Sequence, residues 1–334
     1  MKKITQIFSV LMVLGILSFV QAAEKRSLCI YDPIGASGDI YSMMKEFNLK
    51  TLALGVEFEL KPFTDEKSAS DDFKAKQCDA VLITGTRARA LHKFSGTIEA
   101  MGGLPTYDML NKTIQLLSGP KAGKLMKSDG VEVAGVFPGG AVYLFVRDRA
   151  INSVSALAGK RLATMNFDQA AQIMVQKVGA SMINADVATF AGMFNNGSVD
   201  ACYAPAFAYK ALELYKGIGS KGGVIEYPLA QMTLQLLIHT ERFPQDFGAK
   251  VRELASSSFA AGKAMAERAE KTIPDTTWVK IPAADKTSYD QMFLDVRVEL
   301  RDKHKVYDTK ALKLLRKIRC KVDPTRAECA EQRE

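Results

Sequence analysis

From Ser27 onward the apolar positions switch repeatedly between alternation and helical spacing, the mark of strands interleaved with helices. Ser27–Asp32 is an apolar run that breaks at Pro33-Ile34-Gly35-Ala36-Ser37-Gly38-Asp39. Ile40, Met43, Met44 and Phe47 then recur as one helix face. Val56–Lys61 alternates as a strand should, and Thr64-Asp65-Glu66-Lys67 caps a helix carried by Ala69 and Phe73. Asp79–Thr84 is a third strand, followed by Gly85-Thr86-Arg87 and a helix to Phe94. This order predicts a right-handed, mostly parallel sheet with helices on both faces.

A second unit follows the apolar strand Val142–Val146. Lys160–Met165 is a strand, and Phe167, Ala170, Ala171, Met174, Val175 and Val178 form one face of a helix. Asp186 caps a second helix that ends near Asn195-Asn196-Gly197, with glycine as the left-handed terminator. Val199–Tyr203 is a strand broken by Pro205, and Ala230–His239 is a return strand. Beyond Pro244 the pattern is helical: 245–272 as one long or kinked helix, then 288–304 and 309–321. Repeats and low-complexity linkers are absent, so strand crossings at 142–149 and 230–240 are the hinge candidates.

Composition places this alternation outside the cytoplasm. Residues 1–22 carry Lys2 and Lys3, an apolar stretch from Phe8 to Val20, and Val20-Gln21-Ala22, the pattern of a secretory leader cleaved after Ala22. An apolar core of about 13 residues is short of the ~20 needed to span a bilayer. The expected location is periplasmic. What remains exceeds a single core, so two lobes are expected.

The formal charge of +8 is scattered among acidic residues, and the densest basic run, Lys310–Lys321, reads as a solvated helix face. Aromatics do not interleave with it, which argues against a nucleic-acid partner. Of five cysteines, Cys320 and Cys329 flank the Asp323-Pro324 turn and suit a local staple of the tail. Cys29 and Cys78 fall within disulfide range if their strands are parallel neighbours. Cys202 is then a buried small hydrophobe.

The segment 157–206 resembles the second lobe of TRAP-type (DctP-like) periplasmic solute-binding proteins, through Leu157, Gly159, Lys160, Gly179-Ala180 and Gly197-Ser198-Val199-Asp200. FKAKQCD (73–79) matches the first lobe more loosely, and the whole chain is similar to AdeT-type proteins, often labelled RND efflux components. The resemblance implies an α/β, two-lobed, type II-like fold of mostly parallel sheets flanked by helices. Lobe I would hold 23–145 and about 232–275, lobe II 146–231, and C-terminal helices 276–334 with a stapled tail. It also implies a small-molecule solute delivered to TRAP-type transporter membrane subunits. That family clamps a ligand carboxylate with an arginine on the first strand of lobe two. Here Ala163 stands at that position and Arg161 two residues earlier, so the clamp is expected to be absent.

Ligands of open α/β sheets bind beyond the carboxyl ends of the strands, which nominates three loops. Asp32, Ser37 and Asp39 lie in a glycine-rich loop opening a helix, where ligand contact and plain capping are both open readings. Thr84, Arg87 and Arg89 form the second group, and two arginines two residues apart on a helix cannot both face one spot. Asn166, Asp168 and Tyr203 are the third group, with Phe137 on the hinge side. The acidic set suits an amine and the arginines suit a carboxylate. Catalysis is not expected, nor is any cofactor or metal: three histidines, His92, His239 and His304, lack metal-site spacing, and no Gly-x-Ser-x-Gly elbow occurs. A drug-binding accessory contacting an efflux pump is the alternative role. The chain cannot be such a pump itself without a membrane-embedded bundle, and it lacks an adaptor's long heptad hairpin.

Overall fold

The computed structural model describes residues 23–334; the leader expectation lies outside them. Strand β1 (Glu24–Tyr31) feeds helix α1 (Asp39–Thr51), whose buried face is Ile40, Tyr41, Met44 and Phe47. Strand β2 (Val56–Phe63) leads to α2 (Glu66–Lys74), where Asp65 accepts from the Lys67 and Ser68 amides as the N-cap. Strand β3 (Ala80–Thr84) completes a parallel trio, β2-β1-β3. The helix expected to reach Phe94 is instead two single turns, α3 (Gly85–Ala88) and α4 (Lys93–Gly96). His92 interrupts it by leaving helical geometry to cap the second turn through Ser95. Helix α5 (Tyr107–Ser118) follows, capped by Thr106.

The short strand β4 (Lys127–Ser128) turns into β5 (Val131–Val146), three times longer than its apolar core at 142–146 suggests. The second half repeats the first. Strand β6 (Arg161–Met165) leads to α6 (Gln169–Lys177), and β7 (Ser181–Ala185) to α7 (Phe190–Asn195). Strand β8 (Ala201–Pro205) closes a second parallel trio, β7-β6-β8. The partly exposed β7 is an edge strand with little alternation, which hid it from the pattern. Asp186 forms a turn with Thr189 ahead of α7 and does not cap it. Helices α8 (Ala208–Ala211) and α9 (Leu214–Ile218) and strand β9 (Gly223–Ile225) lead into β10 (Ala230–His239).

One device starts both trios. Asp79, just before β3, accepts from the Ser27 amide of β1 at 2.7 Å, and Asp200, just before β8, accepts from the Arg161 amide of β6 at 2.9 Å. The two halves share one mixed sheet in the order β2-β1-β3-β10-β5-β8-β6-β7. Strands β10 and β5 run antiparallel to each other and to their outer neighbours. The sheet is therefore less parallel than the pattern predicts, because strands that cross from one half to the other and back must oppose each other. Val142 is the crossover, paired with Ala230 on one side and Pro205 on the other. Beside it the register skips Gly139, and Gly140 takes φ +109°, a bulge that bends the strand.

Helices α10 (Phe247–Ser257) and α11 (Phe259–Glu270) form the kinked pair expected after Pro244, breaking at Ser258. Both pack on β5. Strand β11 (Trp278–Val279) pairs with β9, and α12 (Ala283–Asp302) packs on α6. Helix α13 (Thr309–Val322) packs on α5, and α14 (Glu328–Glu331) carries the tail. The C-terminal helices thus touch both halves. Disulfides join Cys29 to Cys78 and Cys320 to Cys329, with Cα atoms 6.0 and 5.6 Å apart. Cys202 is buried and unpaired. Among the described residues no helix is long and apolar enough to cross a membrane.

Candidate functional site

The carboxyl ends of β3, β6 and β8 converge on a cavity of about 150 Å³ between the two halves. Its walls are mostly apolar, with Met101 and Met232 from the first half and crossing strand, and Met165, Phe167, Met174 and Phe190 from the second. The polar groups concentrate on Thr84, Thr86, Arg89, Glu66 and Glu99 on one side and Asp168 and Tyr203 on the other, with Tyr31 and Tyr307 also lining it. A second cavity of about 430 Å³ lies beyond Pro33, Ile40 and Phe207, which line both.

Arg89 leaves the α3 turn with its Nε donating to the Gly96 carbonyl at 3.2 Å. Gly96 must be glycine for this approach, since a Cβ there would lie 2.4 Å from Arg89 Cα. The side chain is 10% exposed, and its guanidinium sits 5.1 Å from the centre of the Tyr307 ring. Across the gap, Asp168 caps α6 by accepting from the Ala171 amide at 3.2 Å, and its other oxygen accepts from the Tyr203 hydroxyl at 3.3 Å. Arg89 and Asp168 face each other at 3.8 Å, within ion-pair range but beyond a hydrogen bond. Arg87 points elsewhere: it stacks 3.5 Å from the centre of the Phe167 ring and reaches Glu66 at 3.4 Å. The two arginines take different tasks, as their spacing requires.

Beside these arginines lie two carboxylates, Glu66 and Glu99, that were not among the nominated ligand contacts. Glu66 accepts from the Thr84 amide at 2.7 Å. Glu99 accepts from the Gly85 and Thr233 amides at 2.8 and 2.5 Å and from the Thr86 hydroxyl at 2.7 Å. Burial pushes both above the usual carboxylate range, although these donors and the neighbouring arginines pull the other way. Burial likewise raises the Tyr31 and Tyr203 phenols, and the Tyr307 phenol to about 12. All three stay protonated donors at neutral pH. Glu66 read from sequence only as part of a cap. Glu99 and Tyr307 sit in stretches without periodicity, and their partners are distant in the chain.

Of the residues nominated from sequence, Thr84, Arg89, Asp168 and Tyr203 line the interlobe cavity. Thr84 also caps α3 through the Arg87 amide. Asp32 and Asp39 line the second cavity, but both Asp32 oxygens are engaged by the Ile34 and Tyr41 amides, at 2.8 and 3.0 Å. Asp32 starts the turn expected of it, whereas Asp39, expected as the cap, lies inside α1 with Gly38 at the cap position. Four nominated residues lie outside both cavities, the first being Arg87 on its Phe167 stack. Ser37 is exposed and bonds back to the Ile34 carbonyl. Asn166 is exposed, its carbonyl accepting from Gln172. Phe137 is 1% exposed, facing away from the cavity into the core against Phe47. Residue parity along β5 puts it on the α1 and α10 side of the sheet. Ala163 is buried, and Arg161 is held outside by Asp200 at 2.7 Å and the Gly197 carbonyl. The strand offers no cation to the cavity.

Comparison with known proteins agrees with this architecture. A family model described as solute-binding protein AdeT 1/2 matches residues 50–334. The probable solute-binding protein AdeT1 of Acinetobacter baumannii is 36% identical over 301 residues, covering 90% of this chain and 99% of that protein. Among solved structures, a TRAP periplasmic solute-binding protein of Desulfovibrio salexigens with bound orotic acid superposes with TM-score 0.72 at 14% identity, covering 89% and 99% of the two chains. One from Sulfitobacter with bound β-D-galacturonate gives TM-score 0.70 at 13% identity, covering 88% and 100%. The chain belongs to the solute-binding protein AdeT 1/2 family and carries the two-lobed fold of TRAP periplasmic solute-binding proteins.

Proposed function

We propose that this protein works in the periplasm, captures a small polar organic solute between its lobes and delivers it to a TRAP-type membrane transporter. One observation carries the reading: a nearly buried guanidinium, Arg89, faces a buried carboxylate, Asp168, across an apolar-walled cavity at the junction of the two halves. The moving units are 23–145 with about 232–275, and 146–231, pivoting at the β5 bulge beside Val142. Residues 276–334 brace both. Orotic acid and β-D-galacturonate in the structural neighbours support a small solute of this class. The test is native mass spectrometry of the protein purified from its own periplasm, with thermal shift against a broad metabolite panel. A co-purified small molecule, or a saturable rise in melting temperature, is the expected result. No bound mass and no stabilising compound would remove the reading.

A further inference from the structure

We infer that the interlobe cavity is built for a zwitterion with an apolar body, an α-amino acid with an apolar side chain, its carboxylate on Arg89 and its ammonium on Asp168. This rests on the solute-binding reading and names the class of its ligand. A cation at the position now held by Ala163 would have come from the second lobe; here the cation comes from the first. Among the described residues Arg89 makes one hydrogen bond, from Nε to Gly96. Both terminal nitrogens are therefore left without a hydrogen-bond partner in a side chain that is nine-tenths buried and lines the cavity. A guanidinium so placed presents a planar fork of donors that matches a carboxylate.

Asp168 is the counterpart. A carboxylate offers about four acceptor sites, and the Ala171 amide and Tyr203 hydroxyl take one on each oxygen. Each oxygen keeps a further site for an ammonium. A zwitterionic head inserted between the facing groups replaces one long ion pair with two hydrogen-bonded ones and leaves neither charge unmatched. A simple carboxylate would strand Asp168, and a simple amine would strand Arg89, each a buried charge without its partner. The other nearby acids do not compete: Glu99 is enclosed by four donors from Gly85, Thr86 and Thr233, and Glu66 by Thr84 and Arg87.

The rest of the wall suits an apolar side chain. Met101, Met165, Met174, Met232, Phe167 and Phe190 line the same cavity. Its volume of about 150 Å³ is enough for a benzene-sized group. Four thioethers adapt their shape to different bodies, which favours a class of side chains over a single one.

The experiment is isothermal titration of the mature chain with L-phenylalanine and L-leucine. Each is set against its analogues lacking the ammonium (phenylpropionate, isocaproate) and lacking the carboxylate (phenethylamine, isoamylamine). The expected result is binding of at least one amino acid about tenfold or more tighter than both its analogues, the scale of a hydrogen bond to a charged group. Asp168→Asn, which keeps the α6 cap, should erase the preference over the carboxylate analogue. Arg89→Gln should erase the preference over the amine. Each readout is a ratio within one variant, so a change in fold stability does not imitate it, and Asp168→Asn alone decides if Arg89→Gln does not fold. Equal binding of an amino acid and its deaminated analogue, or no binding of either amino acid, overturns the proposal. If a different solute is found on the periplasmic protein, the solute-binding reading survives while the zwitterion assignment fails.

Discussion

At the scale of single residues, short-range roles were readable in part, at Asp65 but not at Asp186, and long-range ones were not. Asp65 and Asp168 stand directly before helical runs, and each accepts the amide its position dictates. Glu99 carries as much of the site, but its partners at Gly85 and Thr233 come from other elements, and no local pattern announces them. That contact fixes Gly85 as well. A Cβ there would lie 2.6 Å from Glu99 Oε1 and from the Gln235 amide nitrogen, and the carboxylate is too firmly held to move aside. Gly85→Ala should therefore lower stability by about 1–3 kcal/mol in urea denaturation. Gly123→Ala, where nothing lies within 4 Å, should leave the midpoint in place. Equal midpoints for the two variants would show that Glu99 is not locked as described.

Among the elements, the first parallel trio, strands β6 and β8, helices α1, α2 and α6 and the return strand followed from alternation and caps, because each depends on neighbours close in sequence. The exposed edge strand β7 and the broken turns α3 and α4 did not, since tertiary contacts decide them. The tail is the clearest case. Its basic helix α13 read as a solvated face, yet Arg319 is fully buried and its Nε donates to Glu328 at 2.7 Å. Arg297 and Arg326 meet the same carboxylate at 2.8 and 2.7 Å. Arg297 and Arg319 also share Glu334, and they donate to the Met101 and Gly103 carbonyls. These arginines hold Glu328 down at about 2 despite its burial.

A carboxylate depressed by folding contributes stability above its unfolded value near 4.5, and that contribution fades as pH falls toward about 2. Glu328→Gln should cost about 3–5 kcal/mol near neutral pH, because three guanidinium groups lose a buried partner. Urea titrations at successive pH values should show the gap to wild type closing in acid. A gap that stays constant down to about pH 2 would contradict the assignment. The Cys320–Cys329 bridge closes a short loop around this cluster. Cys329→Ala should lower stability by about 2–3 kcal/mol in urea titrations on the loop-entropy model, and an unchanged midpoint would contradict it.

For the whole molecule, the two-part architecture was legible because two βα units separated by crossing strands admit few topologies. The cavity was legible only as a location. Strand ends pointed to it, and four of the ten nominated residues line it, while Phe137 missed because a one-residue step along β5 selects the opposite face. The halves meet through β5 and β10, beside a skipped Gly139 and a Gly140 at φ +109°, the bulge proposed above as the pivot. Small-angle scattering should then show a smaller radius of gyration when a stabilising solute is added, and an unchanged profile would argue for a rigid block.

The position of the solute is decisive. A crystal structure of the protein purified from its own periplasm, with its ligand retained, examines that directly. It should place the solute between the halves with polar atoms within hydrogen-bond distance of both Arg89 and Asp168 and its body against Met165 and Phe190. A ligand bound elsewhere, with the Arg89–Asp168 pair unparted and the cavity unentered, would contradict it.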